Sequence, residues 1–199
     1  MLEGLLVDLV PYNKRFLDLE HIWRNNDSAF WSSGGDRYIV SRATIQRKAE
    51  EWAEEAERQG PARSVMFGVQ TKDGIPIGFF ALNWLLLHSR LAMLGARIGD
   101  PTYWGGGYGT DALLLLVDYA FDWLDMRKVW LGTTSTNARV MRQMEKVGFR
   151  LEIRERQQAW QDGTWADGLI YGLLRDEWPG RDAVIERIGL RARDGGDVR

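Results

Sequence analysis

A chain of 199 residues, 45% hydrophobic and 27% charged, is long and apolar enough to bury one core and lies outside the compositions of disordered segments. Its formal net charge of −2, with an isoelectric point near 5.8, excludes the basic stripe on which duplex nucleic-acid binding depends, and no nucleic-acid partner is expected. With no cysteine there is no disulfide framework, thiolate metal site or cysteine nucleophile, which fits a reducing cytoplasm; a zinc site would need carboxylates beside His21 and His88, and no metal is expected.

The opening residues Met1 to Asp8 lack a basic region followed by a long apolar run, the pattern of a secretory signal. Leu5 to Val10 reads as a strand closed by Pro11, and Lys14 to Arg24 as a helix with Phe16, Leu17, Leu19 and Trp23 on its buried side. A second helix fits Ala43 to Arg58, starting near Ser41 or Thr44 and ending before Gly60-Pro61. Ser64 to Gln70 and Pro76 to Leu86 are extended and joined by a turn containing Asp73-Gly74. Leu91 to Ile98 is a further strand.

Residues 99–109 break all periodicity. Thr110 to Leu124 is then a long helix, with Leu113, Leu114, Val117, Ala120, Phe121 and Leu124 at the three-and-four spacing of a buried stripe. Its apolar run Ala112 to Val117 falls far short of the roughly 20 residues that span a bilayer, so no membrane partner is expected. Lys128 to Thr134 is a strand, and Asn137 to Lys146 a helix stopped by Gly148. Phe149 to Gln161 and Trp165 to Leu174 form a final hairpin around Asp162-Gly163. Residues 1–178 therefore read as one domain. Pro179 to Arg199, rich in Arg, Asp and Gly, reads as a polar tail whose end, Arg193 to Asp197, is expected to be mobile.

The most informative stretch is Ile98 to Ala112, a glycine-dense loop between a strand and a long helix. Glycines let successive backbone N–H groups turn inward, and the helix that follows adds free N–H donors and the positive end of its dipole, so the loop suits a phosphate or pyrophosphate. The same glycines would also serve a bare strand-to-helix turn. A P-loop requires lysine before the final Ser or Thr, but Gly109 precedes Thr110. A dinucleotide fingerprint opens a chain-leading βαβ unit, whereas this loop lies mid-chain after an antiparallel-looking run.

Trp104-Gly105-Gly106-Gly107-Tyr108-Gly109 resembles the Gln/Arg-x-x-Gly-x-Gly/Ala acyl-CoA motif of the GNAT superfamily. The Tyr103-Trp104-Gly105 entry and the exit through Thr110-Asp111-Ala112 resemble the branch containing ribosomal-protein N-terminal and polyamine acetyltransferases. Asn137-Ala138-Arg139 through Glu145-Lys146-Val147-Gly148-Phe149 resembles that family's Asn-bearing helix, and Glu152 to Trp178 its closing hairpin. The resemblance covers roughly Leu2 to Trp178. It implies an α/β (α+β) fold, a mixed sheet of about seven strands flanked by helices, in which the strands ending near Gly99 and Thr134 splay apart to admit a pantetheine arm. It implies acetyl-CoA as cosubstrate, an amine as acceptor and dimerisation through the C-terminal hairpin.

By the same resemblance, the motif from Trp104 and Gly105 onward forms the cradle, with the amides of Gly106, Gly107, Tyr108, Gly109 and Thr110 receiving the pyrophosphate. Backbone groups of Ile98, Gly99 and Asp100 pair with pantetheine like an added strand. Asn137 bonds the arm, caps its helix, or does both. Arg139 and Arg142 reach the phosphates or stay on a solvated helix face.

Acetyl transfer needs a neutral amine, although a free amine is almost wholly protonated at neutral pH, so a proton must leave to a carboxylate or to water. Asp100 and His88 are the candidates for that base; an Asp before Pro is equally an ordinary turn starter, and a surface histidine is the plainer role for His88. Asp111, in the first helical turn, suits the dipole better than catalysis. By the same resemblance Trp31, beside Trp23 and Phe30, borders the acceptor pocket, where aromatic rings can hold an amine, and Asn83 and Trp84, on a central strand, are candidates to line that side. Relatives carry Ser or Tyr as the acid for the leaving sulfur where this chain has Val140 and Met144, neither of which can donate a proton. That departure leaves a second class open, a non-catalytic acyl-CoA-binding module.

Overall fold

The computed structural model describes residues 1–32, 38–59 and 64–192. In chain order its elements are β1 (Leu2–Glu3), β2 (Val7–Pro11), α1 (Lys14–Trp23), α2 (Asp27–Ser32), α3 (Arg42–Gln59), β3 (Val65–Thr71), β4 (Pro76–Leu86) and β5 (Leu91–Ile98). There follow α4 (Tyr108–Asp118), β6 (Lys128–Thr134), α5 (Ala138–Val147), β7 (Arg150–Gln161), β8 (Thr164–Leu174) and α6 (Arg181–Ile188).

The strands form one mixed sheet in the order β1-β2-β3-β4-β5-β6-β8-β7. Among the described residues it has eight strands rather than about seven. The additional one, β1, pairs Leu2 with Leu9 and Glu3 with Asp8 across a tight turn in which the Gly4 amide donates to the Val7 carbonyl at 2.8 Å. Two residues are too few to show a period. Asp162 and Gly163, at φ 47° and 79°, make the β7–β8 turn a two-residue one with both central residues left-handed.

Neighbouring strands run antiparallel except β5 and β6, which are parallel and pair only through Leu91–Lys128, Ala92–Val129 and Met93–Trp130. Beyond Met93 the two strands part. β4 holds β5 as far as Ile98, while β8 holds β6 along its whole length from Lys128 to Thr134. Each strand is thus supported on its outer side, and the gap between them requires no loss of the rest of the ladder.

Helix α4 lies across the sheet and buries every residue from Asp111 to Val117. An apolar stripe alone would bury one face; here β2, β4, α5 and α6 all pack against it. It continues as a π-helical turn over Tyr119–Trp123, in which the Leu124 amide reaches the Tyr119 carbonyl.

Asp111 does more than complement a dipole. It is fully buried; one carboxylate oxygen accepts from the Leu6 and Val7 amides at 2.7 and 3.1 Å, and the other from Arg181 at 3.3 Å.

The first part of the polar tail is a helix, α6, with Val184 fully buried. Polar composition hid it because one apolar contact per turn suffices to dock so short a helix. The stretch expected to be mobile, Arg193 to Asp197, lies outside the described residues, as does the side chain of Phe30.

Candidate active site

A cleft of about 310 Å³ opens between the end of β5, the loop leading into α4, and α5. The loop is shaped by residue type. Asp100 starts a 3₁₀ turn over Pro101–Tyr103, its Oδ1 accepting from the Thr102 amide at 3.0 Å and hydroxyl at 2.8 Å. Gly105 and Gly107 then adopt φ of 81° and 93°, which a side chain would resist.

Gly107 is the N-cap of α4 and has no side chain to satisfy the first helical amides. Those donors, which have no partner inside a helix, stand at the positive end of an eleven-residue dipole. Gly105, Gly107, Gly109 and Thr110 line the cleft, together with Tyr103 and Trp104. Gly106 and Tyr108 do not; the Tyr108 ring packs edge-on against Tyr103, with centroids 5.1 Å apart.

Along β5 the wall is Ala96, Arg97 and Ile98. The Gly99 and Asp100 amides are already used, both donating to the Ile77 carbonyl at 2.7 and 3.4 Å, and the Gly99 carbonyl accepts from Asn26 Nδ2 at 2.9 Å. Neither residue lines the cleft, whose β5 wall ends at Ile98. Asn26 also caps α2, accepting from the Ser28 amide at 2.8 Å; Ser28 and Trp31 of that helix line the cleft, as does Phe80.

Asn137, Arg139, Val140, Gln143 and Lys146 form the opposite wall. Asn137 is buried and caps α5, its Oδ1 accepting from the Val140 amide at 3.3 Å, so capping and lining coincide in one residue. The Arg139 guanidinium sits 3.9 Å from the centroid of the Trp104 ring, and burial pulls its pKa below the ordinary arginine value. Trp104 in turn donates its indole N–H to the Ile98 carbonyl at 2.9 Å, tying loop, strand and helix together. Gln143 Nε2 lies 3.4 Å from Thr110 Oγ1. Arg142 is exposed and does not line the cleft. Met144 is buried in the core, and Val140 lines the cleft without a proton to give.

Arg97, a lone charge in an apolar strand, is buried with Glu20. Its Nη1 lies 3.0 Å from Glu20 Oε2, which also takes Arg24 Nε at 3.2 Å, while Tyr12 donates to Oε1 at 3.3 Å. Burial lowers the Arg97 pKa, with Glu20 opposing the shift, and burial followed by Glu20 holds the Tyr12 phenol far above its usual range.

Among the described residues that line the cleft, the charged ones are Arg97, Arg139 and Lys146, all cations. Arg97 is matched by Glu20, and the other two, Arg139 and Lys146, favour an anion. Lys146 and Gln143 were legible as the i+7 and i+4 positions after Arg139 on one helix face. Arg97 gave only the hint of an isolated charge.

The remaining acceptor and base candidates sit elsewhere. His88 is exposed in the β4–β5 turn; Asn83 leans over Gly95, where a Cβ would meet its Nδ2 at 2.6 Å; Trp84, 66% exposed, has its ring 6.1 Å from that of Trp130. None of the three lines the cleft, whereas Trp31 does. Among the described residues no cluster of His, Asp or Glu could hold a metal, and no helix is long and apolar enough to cross a membrane.

Residues 8–150 match the family model of the acetyltransferase (GNAT) domain. The probable N-acetyltransferase YjcK of Bacillus subtilis is 30% identical over 138 residues, covering 67% of this chain and 75% of that protein. "Putative ribosomal N-acetyltransferase YdaF" of the same organism is 31% identical over 108 residues, covering 54% of this chain and 58% of YdaF. A spermidine N-acetyltransferase from Vibrio cholerae, solved in complex with CoA and spermine, superposes with a TM-score of 0.75 at 19% identity, covering 86% of this chain and 96% of that one. At that identity the likeness is one of fold.

Proposed function

Since the chain belongs to the GNAT acetyltransferase family and is an acetyl-CoA-dependent N-acetyltransferase, we propose that its cleft holds the pyrophosphate of acetyl-CoA on the first amides of α4 and passes the acetyl group to a primary amine at the Trp31 end. The observation that carries this assignment is Gly107, a left-handed N-cap without a side chain, opening α4 onto a cleft whose charged lining is cationic. Lys146 and Arg139 stand across from those amides as counter-charges for the phosphates.

In the reaction the amine nitrogen bonds the thioester carbon, the C–S bond breaks, and the amine proton passes to water. Asp100 is committed to its turn and His88 lies off the cleft, so the base is an ordered water in this proposal. Arg139 and Lys146, beside the phosphates, favour the anionic form of the departing sulfur, so it leaves as thiolate without an acid at Val140 or Met144.

The acceptor is a peptide N-terminus, a polyamine or a small amine. YdaF is named for ribosomal acetylation, and the Vibrio structure contains spermine. Two further assignments belong to this proposal, a cytoplasmic setting and a homodimer through the β7–β8 hairpin. The latter is supported by Leu151, Ile153, Trp160 and Trp165, each roughly half exposed.

Gly109→Glu tests the cradle, because a Cβ at Gly109 meets only ordinary contacts, Ile98 Cγ1 at 3.4 Å and Gln143 Nε2 at 3.7 Å. Its carboxylate would enter the phosphate site and lower acetyl-CoA affinity at least ~100-fold, as for an unpaired like charge in a partly buried anion site. Equal affinity in calorimetry would refute the assignment, and thiol release across a panel of amines identifies the acceptor class.

A further inference from the structure

We infer that α6 and the Ile188-Gly189-Leu190 turn form the adenosine end of the acetyl-CoA site, an inference that rests on the pyrophosphate assignment above. Ile188 and Leu190 line the same cleft as the glycine loop, although both lie beyond residues 8–150 of the family domain. A Cβ on Gly107 would come within 2.9 Å of Leu190 Cδ1, so Leu190 sits against the N-cap of α4, whereas Ser28 and Trp31 belong to the helix that Asn26 ties to Gly99. The part of CoA that continues past its pyrophosphate in that direction is the 3′-phosphoadenosine, whose base has a flat apolar face.

The helix is fixed at both ends to the elements that flank the cleft. Arg181 at its start lies 3.3 Å from the buried Asp111 of α4, and Arg187 near its end donates to the Val147 carbonyl at 2.9 Å, at the C-terminus of α5, where a cation suits the dipole. Val184, fully buried, seats the middle. Gly189, at φ 65°, then reverses the chain: the Leu190 amide donates to the Ile185 carbonyl at 3.1 Å and the Gly189 amide to Glu186 at 3.2 Å. This pair of bonds is the Schellman arrangement, whose hydrophobic residue after the glycine turns back onto the protein. Here that residue is Leu190, and what it turns back onto is the glycine loop. An apolar pair on a helix tied at both ends by arginines beside a phosphate cradle suits an adenine, with Lys146 of the neighbouring wall available to the phosphates.

Leu190→Ser and Ile188→Ser test this with two cosubstrates, acetyl-CoA and S-acetyl-pantetheine, the second lacking adenosine and phosphates. Removing one packed aliphatic side chain from a ligand contact corresponds to about a tenfold loss. The expected result is that the preference for acetyl-CoA over acetyl-pantetheine, as a ratio of kcat/KM values, falls about tenfold in each variant. A merely structural role would lower both cosubstrates together, and an unchanged ratio overturns the inference whether or not the variants lose stability. If the wild-type protein binds no CoA in calorimetry, it is the cradle assignment that fails instead. A wild-type protein that binds CoA and variants with an unaltered ratio would leave the cradle standing and remove α6 from the site.

Discussion

Trp104 stands where relatives of the family motif carry Gln or Arg, and its contacts explain what an indole does there. One atom, Nε1, holds the Ile98 carbonyl at 2.9 Å, while the ring face carries the Arg139 guanidinium at 3.9 Å. Trp104→Phe keeps a ring under Arg139 and deletes the hydrogen bond, worth about 1 kcal/mol net, so the KM for acetyl-CoA should rise about fivefold. Trp104→Ala removes both contacts and should raise it ten- to thirtyfold, roughly the sum of that bond and a partly desolvated cation–π pair. Steady-state kinetics with acetyl-CoA as the varied substrate separates the two; an unchanged KM in Trp104→Ala would remove the indole from any role in shaping the cleft. At this scale the sequence was legible where residue type alone dictates conformation. Gly105 and Gly107 had to be left-handed or tightly approached, and Asn137 had to cap. It was silent on Arg97 and on the true duty of Asp111, because the partner of a buried charge is fixed by elements far away in the chain.

Periodicity located the strands and the longer helices, and it failed where an element is too short to repeat. β1 has two residues and α2 six, and α6 shows a single buried residue in a charged context. The C-terminal end of α4 shows a different kind of local conflict. Asp118 closes the helix with a negative charge at the negative end of its dipole, where the chain passes into the π-helical turn, and it accepts from the Trp178 indole at 2.7 Å. Burial is the main cause that raises its pKa above the ordinary 3.8; the Trp178 bond opposes the shift and the charge of Asp122 adds to it. A carboxyl whose folded pKa is raised stabilises the fold only while protonated, and that contribution is lost as the pH rises through the raised value. Asp118→Asn keeps an acceptor for Trp178 and carries no charge. Its melting temperature should therefore exceed that of the wild type at pH ~7.5, and the difference should vanish below pH ~3, where both side chains are neutral. Equal melting temperatures at both pH values would show that solvent relieves the charge completely.

The molecule as a whole is an open ladder at one place and a closed knot at another, and the two are connected. Separating β5 from β6 after Met93 creates the cleft but removes the ladder bonds that would have joined the two halves of the sheet there. α4 packs against β2, β4, α5 and α6, and Asp111 at its first turn gathers the N-terminal strand through the Leu6 and Val7 amides and the C-terminal helix through Arg181. Gly4 is part of the same arrangement, since a Cβ there would collide with the Asp111 carboxylate. One buried carboxylate thus holds the N-terminal strand and α6 against the helix whose N-terminus opens on the cleft. Asp111→Ala leaves two amides and a guanidinium without their acceptor and should cost about 3–5 kcal/mol, the range for breaking a buried ion pair. Asp111→Asn retains an acceptor for the amides but not the charge for Arg181, and its cost should be about 1–3 kcal/mol. Urea unfolding of the two variants beside the wild type measures both losses, and calorimetry with acetyl-CoA shows whether affinity falls with them. Because Asp111 fixes the start of α4 as well as α6, affinity should fall in the same order as stability. A variant that lost less than about 1 kcal/mol would mean that the chain ends are held by their apolar contacts alone, with the buried carboxylate only compensating its own desolvation.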